Sequence, residues 1–107
     1  MTDFQDRERA EERKYAMDEE TTFRIAARSN KLLGLWAASK MGLTPEETEA
    51  YAKSVIQADF EEAGNEDVIR KVLGDLVGAG IDIDEAAVRT ALEEKTVEAR
   101  RQLMGEV

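Results

Sequence analysis

Residues 31–42 are the most apolar stretch of the chain and contain its single tryptophan, Trp36. At helical spacing, Ile25, Leu32 and Trp36 lie on one face. Further apolar residues continue onto the neighbouring face: Phe23, Ala26, Ala27, Leu33, Ala37 and Met41. An apolar surface this wide needs partner helices on more than one side. We therefore predict that residues 21–41 form the central helix of a small all-α bundle.

Residues 1–20 have a different character, because they are charged almost throughout. Opposite charges at helical spacing, such as Asp3 and Arg7, favour a helix by about 0.2–0.5 kcal/mol per pair. Few residues are available for burial: Phe4, Ala10, Tyr15, Ala16 and Met17. A helix without an apolar face is marginal in water. We predict an N-terminal arm over residues 1–20, disordered or marginally helical when free, and a four-helix bundle over residues 21–107.

The net charge of −9 is unevenly distributed along the chain. The first 31 residues hold eight acidic and seven basic side chains, so nearly all of the excess negative charge lies in residues 32–107. Nucleic acids and anionic membranes are bound by basic surfaces. The charge therefore argues against both partners. Direct membrane insertion is also not predicted, because no apolar run approaches the roughly 20 residues of a membrane span.

The chain has neither cysteine nor histidine. The first absence excludes disulfides, thiol nucleophiles and thiolate metal sites. The second removes the commonest general base, the commonest metal ligand and the usual switch near neutral pH. Because no signal-peptide pattern is present either, we expect a cytoplasmic protein that is not an enzyme and needs no cofactor.

A capping box predicts where the second helix begins. Thr44 is the predicted N-cap, Pro45 takes the first helical position, and Glu47 completes the box. Gly42 is suited to the position just past the end of the preceding helix. The second helix is predicted to continue to about Glu62.

Two further helices are predicted, with Asn65 and Asp84 as their N-caps. Glycines at 78 and 80 end the third helix. Residues predicted to be buried by these three helices are Tyr51, Ala52, Val55, Ile56 and Phe60, then Ile69, Val72, Leu73, Leu76 and Val77, then Val88, Ala91, Leu92, Ala99 and Leu103. Short connections favour antiparallel neighbours, so the predicted fold is a four-helix bundle.

Residues outside the arm suggest structural roles. Trp36 lies between Leu35 and Ala37 and is predicted to belong to the core. Asn30 lies beside the apolar face, where we expect its amide to make a structural hydrogen bond.

Neither metal nor nucleotide chemistry is predicted from the motifs. The acidic clusters lie at helix ends and lack the spacing of a calcium loop. They are Glu61 with Glu62, Glu66 with Asp67, and Asp82 with Asp84 and Glu85. The glycines at 74, 78 and 80 follow no strand and precede no Lys-Ser/Thr pair, so helix termination explains them better than phosphate binding.

The charged arm has two interpretations. It is either a solvated tail or a helix that becomes ordered when it binds a partner. Two well-spaced aromatic residues, Phe4 and Tyr15, favour the second, because a spacer has no need of them. Ordering on binding costs about 2–5 kcal/mol, which a few buried anchors can offset.

Two blocks of the sequence match a known family. The first contains Phe4, Asp6, Arg7, Glu8, Ala10, Glu12, Lys14, Tyr15, Ala16, Asp18, Glu19 and Glu20, and the second is Asn-Lys-Leu-Leu-Gly-Leu-Trp-Ala-Ala at residues 30–38. The likeness continues through residues 49–53, 58–61, 66–72 and 79–82. The chain thus resembles the zeta-subunit family, the bacterial inhibitors of the F-type ATP synthase. It departs at Ser29, Ala63 and Asn65, where the family tends to have arginine, proline and aspartate, and the last fifteen or so residues match least.

This resemblance implies a non-enzymatic inhibitor of ATP hydrolysis. The arm would enter, as a helix, the interface between a catalytic and a non-catalytic subunit and stop rotation of the central stalk. The implied partners are the alpha, beta and gamma subunits of the catalytic head, which would hold the protein at the inner membrane from the cytoplasmic side. The implied partner-binding residues are Phe4, Asp6, Arg7, Glu8, Ala10, Glu12, Lys14 and Tyr15. Phe4 and Tyr15 would be the apolar anchors.

Two other classes of function stay open from the sequence. One is a small regulatory bundle that binds a free nucleotide or metabolite between its helices. The other is a general adaptor with a disordered tail. In the absence of histidine we also expect a monomer when free, without a histidine-driven association switch between about pH 6 and 8.

Overall fold

The computed structural model describes residues 2–59 and 65–104, with side chains from Glu19 onward. Within these ranges the chain forms four α-helices and no strand. They are α1 (Thr2–Met41), α2 (Pro45–Asp59), α3 (Glu66–Gly78) and α4 (Glu85–Met104). The predicted all-α four-helix fold is confirmed.

Helix α1 is the central element, as predicted, because it packs against each of the other three helices. Helix α3 completes the bundle by packing between α2 and α4. The predicted start of the first helix is Thr21, whereas α1 begins at Thr2. No glycine or proline occurs before Gly34 to interrupt it.

The core side of α1 is the second of the two predicted faces, the one that contains Leu33 and Ala37. Leu33, Ala37 and Ala38 are fully buried, whereas Ile25 and Leu32 are only partly buried. The prediction that Phe23 joins this surface is wrong, because 57% of the residue is exposed. Among the described residues of α1, full burial begins only at Ser29, so Phe23 lies beyond the end of the fully packed core.

Close packing of α1 on α2 requires a glycine at position 34. A Cβ atom placed on Gly34 would lie 2.8 Å from the Cα of Ala52 and 3.3 Å from a methyl group of Val55. The backbones of the two helices therefore approach more closely than any side chain at position 34 would allow.

The predicted apolar faces of α3 and α4 are largely confirmed. The fully or nearly fully buried residues are Ile69, Val72 and Leu76 in α3, and Val88, Ala91, Leu92 and Ala99 in α4. The prediction that Val77 is buried is wrong, since the residue is 56% exposed. Val68 is buried instead. The core side of α3 follows positions 68, 72 and 76, and Val77 lies to one side of that line. In α2, Ala52 and Val55 are buried, Tyr51 and Ile56 are partly buried, and Phe60 lies outside the described residues.

The predicted capping box at the start of α2 is present. The Thr44 hydroxyl accepts the Glu47 backbone N–H at 3.2 Å, and a Glu47 carboxylate oxygen accepts the Thr44 N–H at 2.9 Å. The Thr44 backbone N–H, and to a smaller extent the Thr44 hydroxyl, stabilise the charged carboxylate and lower the pKa of Glu47 below its ordinary value. Asp84 caps α4 in the same way, through the Ala87 N–H at 2.9 Å.

The predicted cap at Asn65 is wrong. Its side chain makes no capping hydrogen bond, and its backbone is already helical (φ −92°, ψ −6°). An N-cap residue normally has extended backbone angles that turn its side chain toward the following N–H groups. At the other end of α3, Gly80 has φ 82° and the Ile81 N–H reaches the Leu76 carbonyl at 3.0 Å, so the predicted glycine termination is confirmed.

Candidate functional site

The candidate functional site is the N-terminal segment of α1, residues 2–20, which is identified by comparing the lengths of the helices. At about 1.5 Å per residue, the 40 residues of α1 extend about 60 Å. The 15 residues of α2 and the 20 residues of α4 extend only about 22 and 30 Å. Neither neighbour is long enough to cover α1 from end to end.

Every predicted partner-binding residue lies in the first 15 positions of this helix. By helical register, Phe4 and Tyr15 are three turns apart, about 16 Å along the axis, and share one side of α1. The side chains of Phe4, Asp6, Arg7, Glu8, Ala10, Glu12, Lys14 and Tyr15 lie outside the described part of the structure. Their roles therefore stay predictions.

The described part of α1 that adjoins this segment is exposed and charged. Arg24 donates to the Glu20 carboxylate at 2.6 Å, which is the ion pair that the i,i+4 spacing predicts. One turn later, Arg28 donates to the side-chain oxygen of Gln102 at 3.1 Å and so connects α1 to the end of α4. This hydrogen bond attaches α1 to the bundle just after the N-terminal segment.

Trp36 belongs to the bundle, as predicted. It is partly buried and packs against the core. The ammonium group of Lys40 lies 5.1 Å from the centre of its ring, which is a cation–π distance.

Asn30 departs from its predicted role. The residue is 2% exposed, yet its side-chain nitrogen has no hydrogen-bond partner in the described part of the chain. A shallow depression of about 260 Å³ lies beside it, between α1 and α4.

Within the described part of the chain, residues of the acidic clusters form ion pairs or cap a helix. Both carboxylate oxygens of Glu66 accept hydrogen bonds from Arg89, at 2.9 and 2.7 Å, and this pair joins α3 to α4. The interaction lowers the pKa of Glu66 and raises that of Arg89. Glu85 also accepts from Arg89, at 3.2 Å. No cluster of metal-ligating side chains occurs among the described residues, and the cluster of Glu61 and Glu62 lies outside them.

A second polar network joins α2 to α3. The Tyr51 hydroxyl donates to Asp75 at 2.9 Å, and Lys71 donates to the same carboxylate oxygen at 3.1 Å. Burial, followed by the hydrogen bond to the carboxylate, raises the pKa of Tyr51. Tyr51 thus stays a neutral hydrogen-bond donor, which suits a structural contact.

A sequence model of the family described as ATPase inhibitor subunit zeta matches residues 1–102 of the chain. The chain belongs to this family. The match includes the whole N-terminal segment of α1, and it confirms the resemblance seen in the two sequence blocks. The family consists of inhibitor subunits, which supports a role as an inhibitor of the ATP synthase and is consistent with a protein that is not an enzyme.

The fold is also similar to one already solved. A protein whose structure was solved by solution NMR is 52% identical in sequence to this chain, and the two structures superpose with a TM-score of 0.69. The match covers 79% of this chain and 96% of the other. No curated protein matches the chain. Within the described ranges, none of the helices combines the length and the hydropathy that spanning a membrane requires.

A row of basic residues in this region was not predicted as functional. Arg24, Arg28 and Lys31 are spaced at i, i+4 and i+7, so they lie along one side of α1 immediately after the N-terminal segment. Their spacing was visible in the sequence. The groove that they border was not, because it is formed with α2 and α4.

Proposed function

We propose that this protein inhibits ATP hydrolysis by the F-type ATP synthase, with the N-terminal segment of α1 as the inhibitory element. In this proposal the segment inserts as a helix into the interface between a catalytic and a non-catalytic subunit and stops rotation of the central stalk. The bundle remains outside and keeps the segment near its target, so that insertion gains from a high effective concentration.

The length of α1 is the observation that best supports insertion of the segment into the synthase. A 40-residue helix with partners of at most 20 residues leaves about 20 residues available for a second protein. Two aromatic residues in that segment supply apolar area, which most interfaces concentrate in a few central side chains. Phe4 and Tyr15 are therefore the proposed anchors. The charged residues proposed to pair with the walls of the cleft are Asp6, Arg7, Glu8, Glu12 and Lys14, with Ala10 allowing close approach.

Deletion of residues 1–18 tests the proposal. The remaining chain keeps all the buried residues of the described core, so we expect it to fold and to show an all-helical circular dichroism spectrum. We expect it to lose inhibition of ATP hydrolysis by isolated synthase heads. Full inhibition by the shortened chain would contradict the proposal.

Alanine substitutions at the two anchors refine the test. Phe4→Ala and Tyr15→Ala should each weaken inhibition by about tenfold or more, because truncation of a central aromatic anchor commonly costs about 2 kcal/mol or more. Val97→Ala is the matched control, since Val97 is an apolar side chain of α4 that is 47% exposed. Equal inhibition by all three variants would exclude the two aromatic residues as anchors.

A further inference from the structure

A groove lies along α1 directly after the N-terminal segment. It consists of two adjoining depressions, of about 350 and 380 Å³, which share Lys31 and Ile56 as lining residues. The first extends to Phe23 and the second to Leu35. These two residues are 12 positions apart on α1, so the groove is about 18 Å long, or about three turns of a helix.

The floor of this groove is apolar. Ile56 of α2 and Leu103 of α4 are partly buried there, and Leu35 continues the apolar surface toward the start of α2. At the open end, Phe23 is 57% exposed. Exposed apolar surface with a polar border is characteristic of interaction sites.

The border of the groove is basic, although the protein as a whole is strongly acidic. Arg24, Arg28 and Lys31 line it from α1, and Lys53 lines it from α2. Among the described residues, Arg24 alone of these four makes an ion pair, with Glu20. Glu49 is the single acidic residue among the groove's lining positions. The other three cations have no ion pair among the described residues, so this border favours a negatively charged partner although the chain has a net charge of −9.

We propose that this groove, named here the basic groove, docks an amphipathic helix with acidic flanks that belongs to the ATP synthase head. This inference rests on the proposed function and adds a second contact to it. An amphipathic helix of about 12 residues fits the length, its apolar side matches the floor, and its acidic flanks match the basic border. A second copy of this chain is the competing occupant, since its own helices are acidic.

The position of the groove gives this contact a mechanical consequence. Phe23 and Arg24 follow the N-terminal segment within four residues. A helix docked in the basic groove therefore lies beside the base of the inserted segment and sets the direction in which α1 enters the cleft. Two linked contacts bind more tightly than either alone.

Charge reversal at Arg28 tests the groove against a matched control. We expect Arg28→Glu to weaken binding of the full chain to isolated synthase heads by about tenfold, while inhibition at saturating concentration stays complete. Arg70→Glu makes the same change in net charge on α3, which contributes no lining residue to the groove, and should change affinity by less than about twofold. The affinity of the natural chain should also fall with added salt, more steeply than that of Arg28→Glu.

Arg28 also donates a hydrogen bond to Gln102, so its reversal could change binding by weakening the fold. Lys31→Glu is a second groove variant that avoids this effect. Lys31 is exposed and has no hydrogen bond or ion pair among the described residues, so its reversal should weaken binding without lowering the melting temperature. If both groove variants bind as tightly as Arg70→Glu while the natural chain inhibits, the groove proposal is wrong and the inhibitory function stands. If the natural chain neither binds nor inhibits, both proposals fail.

Cross-linking identifies the occupant. The chain has no cysteine, so Lys53→Cys provides a single attachment point for a photoreactive probe at the edge of the groove. In the complex with synthase heads we expect cross-links to an acidic helix of the head. Cross-links to a second copy of this chain, or to an apolar segment without acidic residues, would overturn the proposal.

Discussion

Gly34 shows how one residue sets the distance between two helices. Glycine is usually unfavourable inside a helix, by about 1 kcal/mol relative to alanine. At position 34 this cost is outweighed, because only a hydrogen atom fits against the backbone of Ala52. Gly74 also lies inside a helix, α3, but a Cβ atom placed there would have no neighbour within 4 Å. The two glycines therefore have opposite expected responses to the same substitution.

We predict that Gly34→Ala destabilises the bundle by about 1–3 kcal/mol, because overpacking forces the α1 and α2 backbones apart. Gly74→Ala should stabilise it by up to about 1 kcal/mol through helix propensity alone. Urea denaturation of the two variants and the natural chain, followed by circular dichroism, measures both effects. A shift of both midpoints in the same direction would contradict this account of the α1–α2 contact.

Single residues were predicted well where the chemistry is local. Thr44, Glu47 and Asp84 cap their helices because a capping side chain needs only the next three residues of the chain. Asn65 has a suitable side chain too, but its backbone is helical and the cap does not form. Residue type indicates that a cap is possible, and the backbone angles decide whether it is made.

At the scale of the element, the capping box makes the start of α2 sensitive to acid. The pKa of Glu47 is lowered in the folded chain from an ordinary value of 4.5, first by the Thr44 backbone N–H and then by the Thr44 hydroxyl. A group with a lower pKa in the folded state stabilises that state above its unfolded pKa, and this contribution is lost as the pH falls through the folded pKa.

We therefore predict that Glu47→Gln lowers the melting temperature slightly at neutral pH, and that the difference from the natural chain shrinks as the pH falls below 4.5 and through the folded pKa. Glutamine can still accept the Thr44 N–H, so the variant removes the charge and preserves the box. Glu46→Gln is the control, because Glu46 makes no described side-chain hydrogen bond. A difference that persists unchanged as the pH is lowered through this range would show that the charge of Glu47 is not involved.

The helices also show where periodicity is insufficient. The spacing of apolar residues in α3 is compatible with several neighbouring faces, and the predicted one included Val77 rather than Val68. In α1, Leu32 is only partly buried, whereas Leu33 and Ala37, which the prediction placed on the neighbouring face, are fully buried. Because adjacent faces differ by one residue in register, the choice between them depends on where the partner helices lie.

At the scale of the whole molecule, one long helix serves two roles. The second half of α1 is the centre of the bundle, and the first half extends beyond the reach of α2 and α4. The core and the N-terminal segment share a continuous backbone, so a force on one is transmitted to the other. In the proposed mechanism, this continuity would let the bundle resist movement of the inserted segment.

The free chain should not change its association state near neutral pH. It contains no histidine, and no other side chain has an ordinary pKa between about pH 6 and 8. We predict the same sedimentation coefficient across that interval, corresponding to a monomer. A reversible transition between monomer and dimer in sedimentation velocity runs would contradict this expectation and would strengthen a second copy as the occupant of the basic groove.

The sequence by itself determined the number of helices, most of their ends and the family. These depend on local chemistry: apolar periodicity, capping side chains, glycine at positive φ, and short blocks of residues in fixed order. Only the tertiary structure decided which face of each helix is most buried, why position 34 must be glycine, and that Arg24, Arg28 and Lys31 border a groove. Those features depend on distances between residues far apart in the chain, which arise only when the helices pack together.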